Sequence, residues 1–214
     1  MTKPSMLEQV WESRALPFLI EKACRSSAIL AERKRWIPRA SGDVVEVGVG
    51  SGLNLAFYDP KQVTSLAAAD PSVPLLAKAQ ARARELSFPV ELVVAPGERL
   101  PFDAGRFDTA VVTYTLCSVT SPRTVLDEIR RVLRPGGKLV FVEHGAAPDP
   151  GPRAWQRRIT PLWRKVAGNC HLDRDVAVEL EKAGLAFEEI EAGYAEEGTR
   201  LTSFTTAGIA AVRG

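Results

Sequence analysis

A chain of 214 residues, 45% apolar and 25% charged, has the mixture of an ordinary globular domain with room for one sizeable core. Its 28 Lys and Arg against 26 Asp and Glu leave a net charge of +2, which gives no global attraction to nucleic acid. The apolar runs fall short of the roughly 18 residues of a membrane span, and the opening MTKPSMLEQVWES holds no signal-peptide core. Cys24, Cys117 and Cys170 form neither a zinc pattern nor a disulfide framework, so no metal is expected and a cytoplasmic location is the default.

Residues 5–36 read as two helices, with Pro17 suited to the first position of the second. Leu7, Val10 and Trp11 share one face, followed by Leu19, Ala23 and Ile29, and the segment ends in the basic run ERKRW. Residues 1–38 are therefore expected to form a helical cap on the domain that follows. Val44, Val45 and Val47 make a buried strand, and NLAFYD opens a helix or turn after it. VTSLAAAD (63–70) is a second strand, PLLAKAQARAREL (74–86) a helix of good formers, VELVVA (90–95) a third strand, and FDTAVVTYTL (107–116) holds a fourth. SPRTVLDEIRRVL (121–133) is a helix that opens on Ser-Pro and stops at RPGG. KLVFVEH (138–144) is a fifth strand, RDVAVELEKAGL (174–185) a helix, and AFEEIEAGY with TTAGIAAVR a final antiparallel pair. Strands alternating with helices predict an α/β domain over 39–214, doubly wound about a mainly parallel sheet.

The stretch VVEVGVGSGLN (44–54) sets Gly48, Gly50 and Gly52 just past a strand end, where a doubly wound sheet binds ligands. A dinucleotide fingerprint fails because Leu53 stands at its third glycine, and no G-K-[ST] of a phosphate loop is present. The pattern is instead E-x-G-x-G-x-G, beginning at Glu46. An acid at a strand end serves no phosphate, but it suits an ammonium group. Asp70 ends the second strand, where an acid can accept both hydroxyls of a ribose. APGERLPF (95–102) follows the third, where backbone amides can read an adenine edge. Ribose, adenine, an amino-acid-like end and no phosphate point to S-adenosylmethionine.

With FDTAVV (107–112) and LRPGGKLVFVE (133–143), these motifs resemble the class I S-adenosylmethionine-dependent methyltransferases over about residues 40–145. The resemblance implies a Rossmann-like seven-stranded sheet of order 3-2-1-4-5-7-6, its last strand antiparallel. It implies that Glu46 and the Gly48, Gly50 and Gly52 turn surround the methionine portion, that Asp70 with Pro71 beside it takes the ribose, and that Gly97 and Glu98 flank the adenine. Thr113 and Tyr114 are then expected to face the sulfonium. One departure is Pro96, where relatives place Asp or Asn for the adenine amino group; proline offers neither that side chain nor an N–H.

Fold alone does not name the methyl acceptor. Alignment of the two partners supplies about 7–11 kcal/mol of such a displacement. A thiol near pKa 8.5 lacks only about 2 kcal/mol of ionisation at neutral pH, whereas an amine near 10.4 lacks about 4–5. His144, at the ligand end of the fifth strand, is with Tyr114 the expected catalytic residue. Residues 145–173 read as a lid-like insertion, in which Trp155, Ile159 and Trp163 recur at helical spacing. Trp155, Trp163 and His171 are expected to touch the acceptor, although core packing is the plainer meaning of such a stripe. The cluster Arg153, Arg157, Arg158, Arg164 and Lys165 suits a solvated face, or contact with an anionic membrane surface. VVAPGE, TLCSVTSPRTVLDEIRRVLRPGG, VEHGAAP and the run from W-Q to C-x-L-x-R are similar to the methyltransferase-like proteins that methylate alkyl thiols, over about residues 43–175. The broader pattern also resembles enzymes that methylate quinones and phosphatidylethanolamine. The expected partner is thus a small or lipid-like acceptor, thiol favoured, with no nucleic acid and no obligate protein partner.

Overall fold

The computed structural model describes residues 21–196 and 198–212. The first expected N-terminal helix and Pro17 lie outside the described residues. The described chain opens into helix α1 (Ser27–Trp36) and continues through strands β1 (Gly42–Val47) and β2 (Val63–Asp70) to helix α2 (Val73–Ala83). It proceeds through β3 (Val90–Val94), β4 (Phe107–Thr113), α3 (Pro122–Val132), β5 (Leu133–His144), α4 (Pro150–Val166), α5 (Val176–Lys182), β6 (Leu185–Tyr194) and β7 (Phe204–Val212). The seven strands form one sheet of order β3-β2-β1-β4-β5-β7-β6, as the resemblance implied. β7 pairs antiparallel with both β5 and β6; every other pairing is parallel.

Alternation along the strands fills both sides of the sheet. Val45, Val47, Ala110, Val112, Leu139 and Phe141 face α3 and α5, which bury Val125, Leu126, Ile129, Val176 and Leu180 against them. Val44, Leu66, Ala68, Val111, Val140 and Val142 face the other way, onto Trp36 of α1 and onto Leu76 and Ala83 of α2. Full burial of a Val, Leu, Ile or Phe side chain contributes about 1.5–3 kcal/mol. α3 starts as its sequence predicts: Pro122 sits in the first turn, and Ser121 Oγ accepts from Thr124 N at 3.2 Å.

Three stretches take definite bounds, of which only the start of β5 departs from expectation. NLAFYD makes only a 3₁₀ turn, Leu55–Phe57. β5 begins at Leu133, before RPGG. Within 107–116, β4 ends at Thr113, because Tyr114 takes a left-handed φ of 52°. That conformation costs a non-glycine residue on the order of 1–2 kcal/mol. The backbone beyond it is held from both sides. The Glu143 carboxylate accepts from Thr115 N, Leu116 N and Cys117 N, while Arg174 donates to the carbonyls of Leu116 and Val119. The strand order reverses between β1 and β4, so the crevice of a doubly wound sheet opens beside this turn.

Candidate active site

The chain leaves β1 in a tight turn. Gly48 N and Val49 N both donate to Ala69 O, at 2.8 and 3.2 Å, and Gly48 has φ +79°. A Cβ at Gly48 would collide with the Thr115 side chain, whereas one at Gly50 (φ +54°) would enter open space. Gly50 N donates to Asp70 Oδ2 and Ser72 N to Oδ1, both at 2.8 Å. Asp70 is thus aimed by two backbone groups, each oxygen keeping a free acceptor position. Burial raises its carboxyl pKa above the ordinary value, and the Ser72 and Gly50 N–H groups oppose that shift.

A buried polar network lies beneath the turn. Glu46 accepts from Asn54 Nδ2 at 2.8 Å and from Tyr58 OH at 2.7 Å. Asn54 Nδ2 also donates to Thr113 Oγ1 at 3.0 Å. Arg33 reaches in from α1, donating through Nη1 to Asn54 Oδ1 and, at 2.8 Å, to Thr113 Oγ1. Burial raises the pKa of Glu46, against the pull of Tyr58, Arg33 and Asn54. Arg33 Nε is buried with no partner, and Arg33 lines a cavity of about 790 Å³ at the sheet crevice.

Gly48, Gly50, Asp70, Pro71, Gly97, Glu98, Thr113 and Tyr114 all line that cavity, as does Pro96. Glu46 and Gly52 do not: Glu46 supports the wall from behind through Asn54 and Tyr58, and Gly52 packs against Leu55 and Ala79. Glu98 also ties two loops together, its Oε1 accepting from Thr120 N at 3.2 Å. His171, expected on the acceptor side, lines this same cavity. The residues present fit S-adenosylmethionine. Asp70 keeps an acceptor position on each oxygen, as a ribose needs, the open side of Gly50 leaves room for a ligand, and Arg33 puts a cation with an unpartnered Nε at the wall, as an amino-acid carboxylate needs.

Tyr114 joins this cavity to a second one of about 640 Å³, lining both. The second cavity is walled by His144, Trp163, Leu172, Ile29, Tyr194 and Ala207, among others. The left-handed turn at Tyr114 sets its ring 5.3 Å from the Arg33 guanidinium and 6.1 Å from the His144 ring. Burial pushes the Tyr114 phenol up, so it stays protonated. Trp155 lines neither cavity: it stands on the outer face of α4, 56% exposed, beneath the Arg158 guanidinium at 5.7 Å.

Behind His144, two cysteines that sequence spacing gave no reason to group come together. Cys170 Sγ lies 3.2 Å from His144 Nε2, and Cys117 Sγ lies 3.4 Å from Ser118 Oγ. The hydrogen bond from Cys170, and then the His144 charge, hold the Cys117 thiol well below its ordinary range against burial. Burial opposes protonation of His144, but Cys117 raises its pKa to about 9. Burial and Cys117 together push Glu143 up to about 8. Arg33, Asn54, Glu143 and the Cys117–Cys170 approach were absent from the sequence reading. The basic tail of α1 could have suggested Arg33, but no local signal marked the other three.

A glycine turn at the end of β1, a backbone-held acid at the end of β2 and this strand order define a nucleoside-cofactor site in a methyltransferase-type sheet. A family model described as "Methyltransferase domain" matches residues 45–141. Human thiol S-methyltransferase TMT1B is 43% identical over 157 residues, which are 71% of this chain and 63% of that protein. Phosphatidylethanolamine N-methyltransferase of Cereibacter sphaeroides is 34% identical over 152 residues, 70% of this chain and 72% of its own length. The crystal structure of a SAM-dependent methyltransferase from Thermotoga maritima superposes with a TM-score of 0.65 at 20% identity, covering 97% of this chain and 98% of the other. The chain belongs to the class I S-adenosylmethionine-dependent methyltransferases. It spans 62–64% of the length of the TMT1B relatives it matches. Among the described residues, no helix is long and apolar enough to cross a membrane.

Proposed function

We propose that this protein transfers the methyl group of S-adenosylmethionine to a small, rather apolar thiol. The observation that carries this reading is the second cavity, which meets the cofactor cavity at Tyr114 and is walled by Ile29, Trp163, Leu172 and Ala207. In the proposed site, Asp70 takes the ribose hydroxyls, the backbone at Gly48 and Gly50 lies along the methionine portion, and Gly97 and Glu98 flank the adenine. Arg33 Nε takes the carboxylate. When bound, the cofactor supplies an activated methyl carbon. The protein's part is to align a thiol sulfur with it and exclude water, which the junction at Tyr114 suits. Among the described residues, His144 is the one histidine lining that cavity; the charged side chains there have partners, Arg35 pairing with Glu191 and Glu32 accepting from Trp36 Nε1. Its free cysteines suit a reducing, cytoplasmic setting. Similarity to thiol S-methyltransferases supports the same acceptor class.

The test is methyl transfer from labelled cofactor, with alkyl thiols in one reaction, phosphatidylethanolamine vesicles in another, and no acceptor in a third. Label in an extractable thioether is the expected result. Label in lipid alone would overturn it. One observation favours that second reading. α4 exposes Trp155, Leu162 and Val166 beside Arg157, Arg158 and Lys165, a combination suited to an anionic bilayer surface. Under the lipid reading, Leu162→Ser lowers both vesicle binding and turnover; under the thiol reading, thiol turnover is unaffected.

A further inference from the structure

Cys117, His144 and Cys170 come from three separate segments: the turn after β4, the end of β5 and the loop after α4. Their Sγ, ring nitrogen and Sγ all lie within 4.8 Å of one another. The cysteines are 2% and 7% exposed and pack against Leu172, Ile159 and Ala167. His144 alone of the three lines a cavity, the second one. We propose that these residues hold a zinc ion with an open fourth position toward that cavity, where the acceptor thiol binds as a thiolate. The inference rests on the thiol reading of the acceptor and gives it a chemical basis.

Four arguments carry it. Two thiolates and an imidazole with a vacant position form a ligand set of catalytic zinc. With Zn–S near 2.3 Å and Zn–N near 2.0–2.1 Å, tetrahedral geometry wants ligand separations of about 3.5–3.8 Å. With all three atoms within 4.8 Å of one another, the cluster reaches these by changes in separation of at most about 1.3 Å. The supporting shell is already built: Glu143 receives the N–H groups of Thr115, Leu116 and Cys117, and His171 N donates to Cys117 O at 2.8 Å. Those bonds occupy Glu143 at its backbone task, leaving three ligands and an open place rather than a closed structural site. Finally, a soft sulfur-rich centre selects thiols over amines.

The step balances. The acceptor RSH releases its proton to solvent on binding the metal. Its sulfur lone pair then attacks the methyl carbon, forming the new C–S bond. The methyl–sulfonium bond breaks, and its electron pair stays on the departing sulfur. Products are a neutral thioether and neutral S-adenosylhomocysteine. Anion and sulfonium annihilate each other's charge, which a low-dielectric cavity favours.

The test uses the full chain, purified without chelator. Metal content should be about one zinc per chain, lost in Cys170→Ala and in His144→Ala. After exchange to cobalt(II), the visible bands of a tetrahedral centre should appear. Adding an alkyl thiol without cofactor should strengthen the sulfur-to-cobalt charge-transfer band. Alkylation followed by mass spectrometry supplies a readout independent of those variants' folding: zinc should shield Cys117 and Cys170, and a chelator should expose them. Metal-free protein should methylate thiols about 30-fold more slowly at pH 7, the ionisation deficit of an ordinary thiol. No metal in the wild type after dialysis against zinc, or a Cys117–Cys170 disulfide in its place, would overturn the inference. So would a cobalt spectrum indifferent to thiol. Undiminished thiol methylation by metal-free protein would remove the metal while leaving the proposed function intact. A thiol-responsive cobalt centre without any methyl transfer to thiols would keep the metal site and remove that function.

Discussion

Replacing Asp70 by Asn separates cofactor binding from folding. Asp70 is 7% exposed, and its oxygens each accept one backbone N–H at 2.8 Å, from Gly50 and Ser72. A carboxylate offers about four lone-pair positions, so about one per oxygen remains for the two ribose hydroxyls. In Asp70→Asn one oxygen becomes an NH₂ facing a backbone donor, and the surviving acceptor loses its charge. Hydrogen bonds to charged groups contribute about 1.5–3 kcal/mol each. Losing one and weakening the other should lower cofactor affinity by about 2–3 kcal/mol, or about 30- to 150-fold. Stability responds differently. Burial raises the folded pKa of Asp70 above its unfolded value, so its ionised form opposes folding, increasingly as pH rises through that window and fully above it. At neutral pH the neutral Asn relieves this opposition while forfeiting a backbone bond of about 1 kcal/mol, so the melting temperature should move little. Titration calorimetry with S-adenosylhomocysteine, beside thermal unfolding of the same samples, gives both quantities. A folded variant with unchanged affinity would refute the assignment of Asp70 to the ribose.

Four further substitutions probe the wall of the same cavity and its support. Gly50→Ala should fold at a cost of about 1–2 kcal/mol for its left-handed backbone, yet lose cofactor affinity because its Cβ enters the cavity. Gly48→Ala adds a collision with Thr115 to the same strain and should lower the melting temperature further; equal melting temperatures would contradict that packing. Tyr58→Phe removes a donor from buried Glu46 and should destabilise by about 1–3 kcal/mol in urea unfolding. S-adenosylhomocysteine affinity should hardly change, and a loss at full stability would make Glu46 a direct cofactor ligand. Arg33→Lys should weaken S-adenosylhomocysteine about 10-fold but leave adenosine binding unchanged, since adenosine lacks the carboxylate. Equal losses for both ligands would place Arg33 elsewhere.

What was legible in the sequence is what short-range chemistry encodes. Val44, Val45 and Val47 alternate because β1 is buried on both faces, and Gly48 and Gly50 adopt the positive φ angles that their density announced. Asp70 could be singled out as a candidate because a strand end and an acid coincide within one stretch of chain. Glu46 shows the limit of that reasoning. Its place among the valines of β1 was legible, but its partners, Tyr58 and Asn54, turn it from a cavity-lining acid into a support. Contacts between distant segments leave no periodic trace. Arg33 meets Thr113 across 80 positions, and Cys170 meets His144 across 26. Each depends on where the crossover helices return the chain, which no window of the sequence contains. The strain at Tyr114 belongs with them. A tyrosine carries no sequence mark of left-handed backbone, and it holds that φ because Glu143 and Arg174, from β5 and the loop before α5, fix the turn that follows. Most of the parts proposed to bind the cofactor are therefore local and visible, while Arg33 and those that would choose this protein's acceptor are assembled by the fold.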